Sequence, residues 1–104
     1  MSYKQAAQLR RKIDYDKKLI DQFVTLWSGS DCTKDAPVGA NFEKSITTWG
    51  YFGVNAEDFE EFISSIEFRS DLDNDAKWRY FCKCAWNVVK INREIAEGGY
   101  EIEP

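Results

Sequence analysis

The run from Asn74 to Glu97, NDAKWRYFCKCAWNVVKINREIAE, constrains the fold of this chain most. At about 100° per residue, Trp78, Phe81, Cys82, Cys84, Ala85, Val88, Val89, Ile91, Ile95 and Ala96, with Tyr80 at one margin, cover an arc of roughly 200°. That is wider than one neighbouring helix requires, so the spacing predicts a central helix touched by two or three other elements. The remaining arc is basic. Arg79, Lys83, Trp86, Lys90 and Arg93 fall within roughly 40° of one line along the helix, which sets a tryptophan among four cations. Asp71, Asp73, Asn74 and Asp75 crowd the start, where side-chain oxygens cap free N–H groups and carboxylates favour the positive dipole end. Gly98 and Gly99 are expected to close the helix.

The rest of the chain supplies three further helices. Residues 3–27 read as six or seven turns with Ala6, Leu9, Ile13, Ile20, Phe23, Val24 and Trp27 on one face, widened by Leu19 and Leu26. Asp16 and Lys17 interrupt that face, and the turn carrying them is expected to be exposed, because charged groups are rarely buried unpaired. Residues 28–40 are rich in Gly, Ser, Asp and Pro and form the one clear loop, long enough to be functional or mobile. Asn41 can cap a short helix through about Trp49, lined by Phe42, Ile46 and Trp49 and stopped by Gly50. Tyr51 to Val54 form a tight connector. Asn55 then opens a helix with Asp58 three residues on and a Val54–Phe59 hydrophobic staple; Phe59, Phe62, Ile63 and Ile66 are its inner face. Its outer face carries Glu57, Glu60, Glu61 and Glu67.

The expected fold is therefore all-α: one small domain over residues 1–104, about four helices packed around the C-terminal one, with 98–104 as a short acidic tail. A chain of this length can bury a single modest core without metals or disulfides. Apolar residues at 43% and a formal net charge of −4 argue against general disorder. Charge is uneven: residues 1–28 sum to +3, 29–75 to −8 and 76–104 to +1. The simplest expectation is that these segments neutralise one another inside the fold.

Catalytic and metal chemistry find little support in the residue types. The chain has no histidine, hence no Ser-His or Cys-His nucleophile pair, and no Gly-x-Ser-x-Gly elbow. Cys32, Cys82 and Cys84 supply too few thiols for a four-ligand zinc site, and Cys82 and Cys84 point to different sides of their helix. They fit buried, reduced cysteines of a cytosolic protein. Asp71-x-Asp73-x-Asp75 imitates the start of a calcium loop, but Ala76 stands where the glycine belongs and Cys82 where the closing glutamate does. Asp75-Ala76-Lys77 resembles a nuclease fragment, placed on a helix start rather than a strand. The glycines at 29 and 39 lack phosphate-loop spacing. No cofactor, metal or enzymatic role is expected. No apolar run is long enough to span a membrane and no apolar signal region opens the sequence, so a soluble cytoplasmic protein is expected.

Two binding readings survive. A protein or nucleoprotein partner would use Trp86 as an aromatic anchor with Arg79, Lys83, Lys90 and Arg93 around it, and the Glu57, Glu60, Glu61, Glu67 face as a second surface. Alternatively the same cations meet phosphates while Trp86 stacks on an unpaired base. The acidic second helix of the 41–68 hairpin argues against helix-turn-helix docking in a DNA groove. A homodimer that buries these groups is the remaining option. In size, charge, aromatic density and lack of catalytic motif the chain resembles the small accessory proteins of bacteriophages and mobile elements. Many of those inhibit a host machine by binding it. The likeness lies in composition alone, and it implies an inhibitor acting on a protein or nucleoprotein complex in the host cytoplasm.

Overall fold

Four helices follow one another in a computed structural model of the chain: α1 (Tyr3–Gly29), α2 (Phe42–Tyr51), α3 (Ala56–Glu67) and α4 (Asn74–Ala96). The structure describes residues 3–97, with side chains from 5–6 and 10–97. Gly98, Gly99 and the acidic tail lie outside the described residues, as does the side chain of Leu9. The all-α architecture expected from the sequence is what the structure shows.

Backbone packing closes a ring: α1 lies against α2 and α3, and α4 against the same two helices. α1 and α4 thus sit across the core from each other and meet through aromatic rings. Phe81 of α4 is the hub. Its ring lies 5.2 Å from Phe23, 5.3 Å from Phe62, 5.4 Å from Trp27, 5.6 Å from Phe59, 5.8 Å from Trp78 and 5.9 Å from Trp49. Those partners come from all four helices, so the expected centrality of the C-terminal helix rests chiefly on one side chain.

The apolar arcs are wider than what is buried. On α4, Phe81, Ala85 and Val89 are buried, Trp78, Cys82, Cys84 and Val88 are partly so, and Ile91 and Ile95 are 46% and 58% exposed. On α1 the buried line is Leu19, Phe23 and Trp27, each four residues from the next. Ile13 and Val24, expected in the core, are 56% and 41% exposed. For Ile13 the reason is reach, since none of the described side chains ahead of Leu19 is buried; Val24 instead sits on the flank turned away from the buried line Leu19, Phe23 and Trp27. Lys17 is exposed as expected, while Asp16 is half-buried in a cleft with Lys12, Thr47, Thr48 and Tyr51.

Local chemistry places the helix ends, with two corrections. Asn55 and Asp58 form the anticipated capping box, exchanging bonds of 3.0 and 3.2 Å, and Val54 and Phe59 are fully buried. Asp73 caps α4 by accepting from the Ala76 N–H at 2.8 Å. Asn41, by contrast, makes no side-chain cap bond; its backbone is not extended, and its carbonyl accepts from Ser45 N–H instead. Gly50 does not stop α2. It lies buried inside the helix, where a Cβ would stand 2.5 Å from Leu19 Cδ2, so this glycine serves the close approach of α1. The turn is made by Gly53, at φ 92°, a conformation side chains resist.

The 28–40 loop is built into the body rather than left free. Thr33 is fully buried and donates to Trp27 O at 2.6 Å, Trp27 Nε1 donates to Ala36 O at 3.0 Å, and Ser30 Oγ donates to Leu26 O. Lys77 Nζ reaches from α4 to Cys32 O at 2.6 Å. The loop thus satisfies the end of α1 and ties it to the start of α4.

Truncating the hub is expected to cost about 3–5 kcal/mol, the range for a buried phenylalanine. Urea denaturation followed by circular dichroism should show that loss for Phe81→Ala, whereas Phe68→Ala, at a residue 87% exposed, should stay within about 0.5 kcal/mol of the parent.

Candidate functional site

The outward arc of α4 divides into two parts. Arg79, Lys83 and Lys90 are exposed and take part in no ion pair among the described residues; the pairs that do form are Lys34–Asp31, Arg69–Asp71 and Arg93–Glu97. Arg93 is held: its guanidinium lies over the Phe52 ring at 5.6 Å and 3.8 Å from Glu97 Oε1. Trp86 sits among them, 48% exposed, with its ring edge-on to buried Trp49 at 6.1 Å. The cation–π contacts of the described residues, Arg93 on Phe52 and Arg69 on Tyr80, leave the Trp86 ring without a cation over it.

A shallow cleft of about 280 Å³ opens beside Trp86, lined by Val89, Lys90, Arg93, Glu94 and Glu97. A second, of about 540 Å³, continues across Arg93 and Glu97 to Tyr51, Phe52, Asn92 and Ile95. Tyr51 is 75% exposed and Ile95 58%. Sequence reasoning missed this extension. It assigned Tyr51 and Phe52 to a connector and Ile95 to the core, whereas Asn92 Nδ2 donates to Phe52 O at 2.8 Å and docks the connector on α4. The available signal was two adjacent aromatics before a glycine. Trp, Tyr and Arg grouped around concave apolar surface is the composition of interface hot spots.

Glu57, Glu60, Glu61 and Glu67 are all exposed on α3, and none is ion-paired among the described residues. Glu60 borders a groove of about 500 Å³ against α1, together with Asp14, Lys17, Lys18 and Asp21. No ion pair joins the acidic row to the basic stripe. Among the described residues the expected neutralisation of basic by acidic segments does not take the form of ion pairs: each pair lies within four residues of sequence.

The remaining candidates have structural partners. Arg69 grips Asp71 with two bonds of 2.9 Å, which holds that carboxyl below the usual carboxylate range, and Asp73 is the helix cap. The calcium-like aspartates do not converge, and among the described residues no group of three or more His, Cys, Asp or Glu side chains could hold a metal ion. Lys77 of the nuclease-like triplet points to Cys32 O and Asn74 Oδ1. The three cysteines are free thiols; burial pushes Cys82 up to about 11, and raises Cys84 despite a hydrogen bond from Tyr80. No helix among the described residues is long and apolar enough to cross a membrane. No family model, curated protein or solved structure matches the chain.

The raised Cys82 leaves about one thiol in a thousand ionised at pH 8. Alkylation of Cys82 by iodoacetamide, followed by mass spectrometry, should accelerate about tenfold per pH unit between about pH 8 and 10 and lag an unstructured cysteine peptide throughout. Matching rates at pH 8 would show that the thiol is not shielded.

Proposed function

We propose that this chain is a non-enzymatic binding protein whose α4 face, centred on Trp86 with Arg79, Lys83, Lys90 and Arg93, engages a protein or nucleoprotein complex. The observation that carries the reading is the display of Trp86: half-exposed, seated on Trp49, and flanked by three cations with no ion-pair partner among the described residues. An aromatic ring presented on a rigid helix loses little entropy on docking, and unpaired cations beside it favour an acidic rim.

Charge on the same face favours protein over free nucleic acid. Glu94 and Glu97 line the Trp86 cleft, where they would repel a phosphate backbone but accept hydrogen bonds from a mixed-charge protein surface. The acidic row Glu57, Glu60, Glu61 and Glu67 offers a second contact surface of opposite sign. Inhibition by occupying the surface of a larger cytoplasmic machine, as small phage and mobile-element accessory proteins do, fits a chain with a binding face and a composition that offers little for catalysis. Stacking of an unpaired base on Trp86 is the competing reading, because the same ring is accessible among cations.

Affinity capture with the intact protein as bait, alongside light scattering of mixtures with single- and double-stranded DNA and RNA, separates the two. Trp86→Ala is expected to weaken protein capture by about 2 kcal/mol or more, roughly 30-fold. Lys83→Glu with Lys90→Glu should abolish it without moving the urea midpoint, while Asp35→Lys, at an exposed residue on neither surface, serves as the control for unspecific charge effects. Full affinity in the doubly reversed variant would refute the surface, and a salt-sensitive shift with nucleic acid that Trp86→Ala removes would replace the protein partner with a nucleic acid.

A further inference from the structure

The projecting half of α1 carries a second surface, on the opposite side of the core from the Trp86 face. Isolated helices of about 12–15 residues are marginal in water, yet no described side chain ahead of Leu19 is buried. Ala6, Ile13, Ile20 and Val24 fall within about 40° of one another around the helix, and none of them lines the clefts against α2 and α3. Ile20 packs partly on the core, and the neighbouring Asp14, Lys17 and Asp21 border the α3 cleft. Ile13 and Val24 are 56% and 41% exposed, and Ile20 is only half-buried. This apolar line runs for about 27 Å.

One edge of the line has a charge order that identifies what covers it. Arg10, Asp14, Lys17 and Asp21 alternate in sign along that edge, all exposed, and none is ion-paired among the described residues. Two antiparallel helices related by a twofold axis set the same edge of each against the other. With the axis between residues 15 and 16, Arg10 faces Asp21, and Asp14 faces Lys17. The symmetry repeats both pairs, giving four oppositely charged contacts. In the same register Ile13 packs beside Ile20 of the second copy, and Val24 beside its Ala6. An unrelated partner would have no reason to match this order, whereas the chain matches itself.

We propose that α1 is a dimerisation helix, along which two copies of this chain pair antiparallel through Ala6, Ile13, Ile20 and Val24, with Arg10, Asp14, Lys17 and Asp21 setting the register. The contact gives the projecting turns the tertiary burial they otherwise lack. It also leaves the Trp86 face of each copy free, so the pair would be bivalent toward a partner.

Light scattering on the intact chain at micromolar and higher concentrations tests this, with urea midpoints confirming that variants fold. The parent should have the mass of two chains. Arg10→Glu with Lys17→Glu makes the edge wholly acidic, and Asp14→Lys with Asp21→Lys makes it wholly basic. Each variant alone should be a monomer, and an equimolar mixture of the two should return to the mass of two chains. Ile13→Glu with Val24→Glu should give a monomer that no mixing rescues, and Lys83→Glu with Lys90→Glu should stay dimeric. A monomeric parent would overturn the proposal. So would a dimer that survives Ile13→Glu with Val24→Glu, or one lost in the Lys83→Glu, Lys90→Glu variant.

Discussion

Everything in this structure hangs on the ring of Phe81. α1 and α4 face each other across the core, and the space between them is filled by aromatic side chains: Phe23 and Trp27 from one side, Trp78 and Phe81 from the other, with Trp49 from α2 and Phe59 and Phe62 from α3 closing the gap. The edge-to-face pairs among them contribute about 0.5–1.5 kcal/mol each beyond the area they bury, though pairs sharing one ring do not add. Filling a wide core with few large rings explains why so short a chain carries 15% aromatic residues. It has a cost. Trp49 is fully buried and its Nε1 finds no acceptor among the described residues, a loss of about 1–3 kcal/mol that the ring contacts must offset.

The same cluster reaches the surface at one point. Trp49 touches Trp78 and Phe81 inside and Trp86 outside, so the exposed tryptophan is fixed by the core rather than by its own loop or rotamer freedom. Arg93 and Asn92 extend that fixation to the α2–α3 connector, through the Phe52 ring and the Phe52 carbonyl. A face assembled from α4 and a docked connector is stiff. Stiffness is what a binding surface needs if little of its interaction energy is to be spent on ordering side chains.

Helix positions were legible in the sequence because they depend on local chemistry. The Asn55–Asp58 capping box and the apolar sets Ile46–Trp49 and Phe59–Ile66 are set by residues within a turn or two, and the structure has them where periodicity puts them. What failed depends on neighbours that periodicity cannot see. Ile13, Val24, Ile91 and Ile95 have the spacing of core residues, but none of them is buried by the described elements; Gly50 has the look of a stop signal, but Leu19 occupies the space its side chain would need. The 28–40 loop has the composition of a free segment, yet Thr33 and Trp27 draw it inward through hydrogen bonds to backbone carbonyls. The Trp86 stripe was visible as a pattern; its extension over Tyr51 and Ile95 is a tertiary property.

Why the charges remain unneutralised follows from the same geometry. Charges of both signs alternate along the exposed turns of α1, the cations Arg79, Lys83 and Lys90 lie on the outward arc of α4, and Glu57, Glu60, Glu61 and Glu67 lie on the outward arc of α3. The α3 carboxylates and the α4 cations, on separate outward arcs, would have to bend around their helices to meet, giving up rotamer freedom worth more than the fraction of a kcal/mol that an exposed pair returns. Among the described residues only close sequence neighbours pair up, as Lys34 does with Asp31 and Arg93 with Glu97. A net charge of −4 therefore conceals surfaces of both signs. Such forces fade over a Debye length of about 8 Å at physiological ionic strength, so on the proposed binding role salt would govern how fast a partner meets these faces, while the apolar side chains at their centres would govern how long it stays.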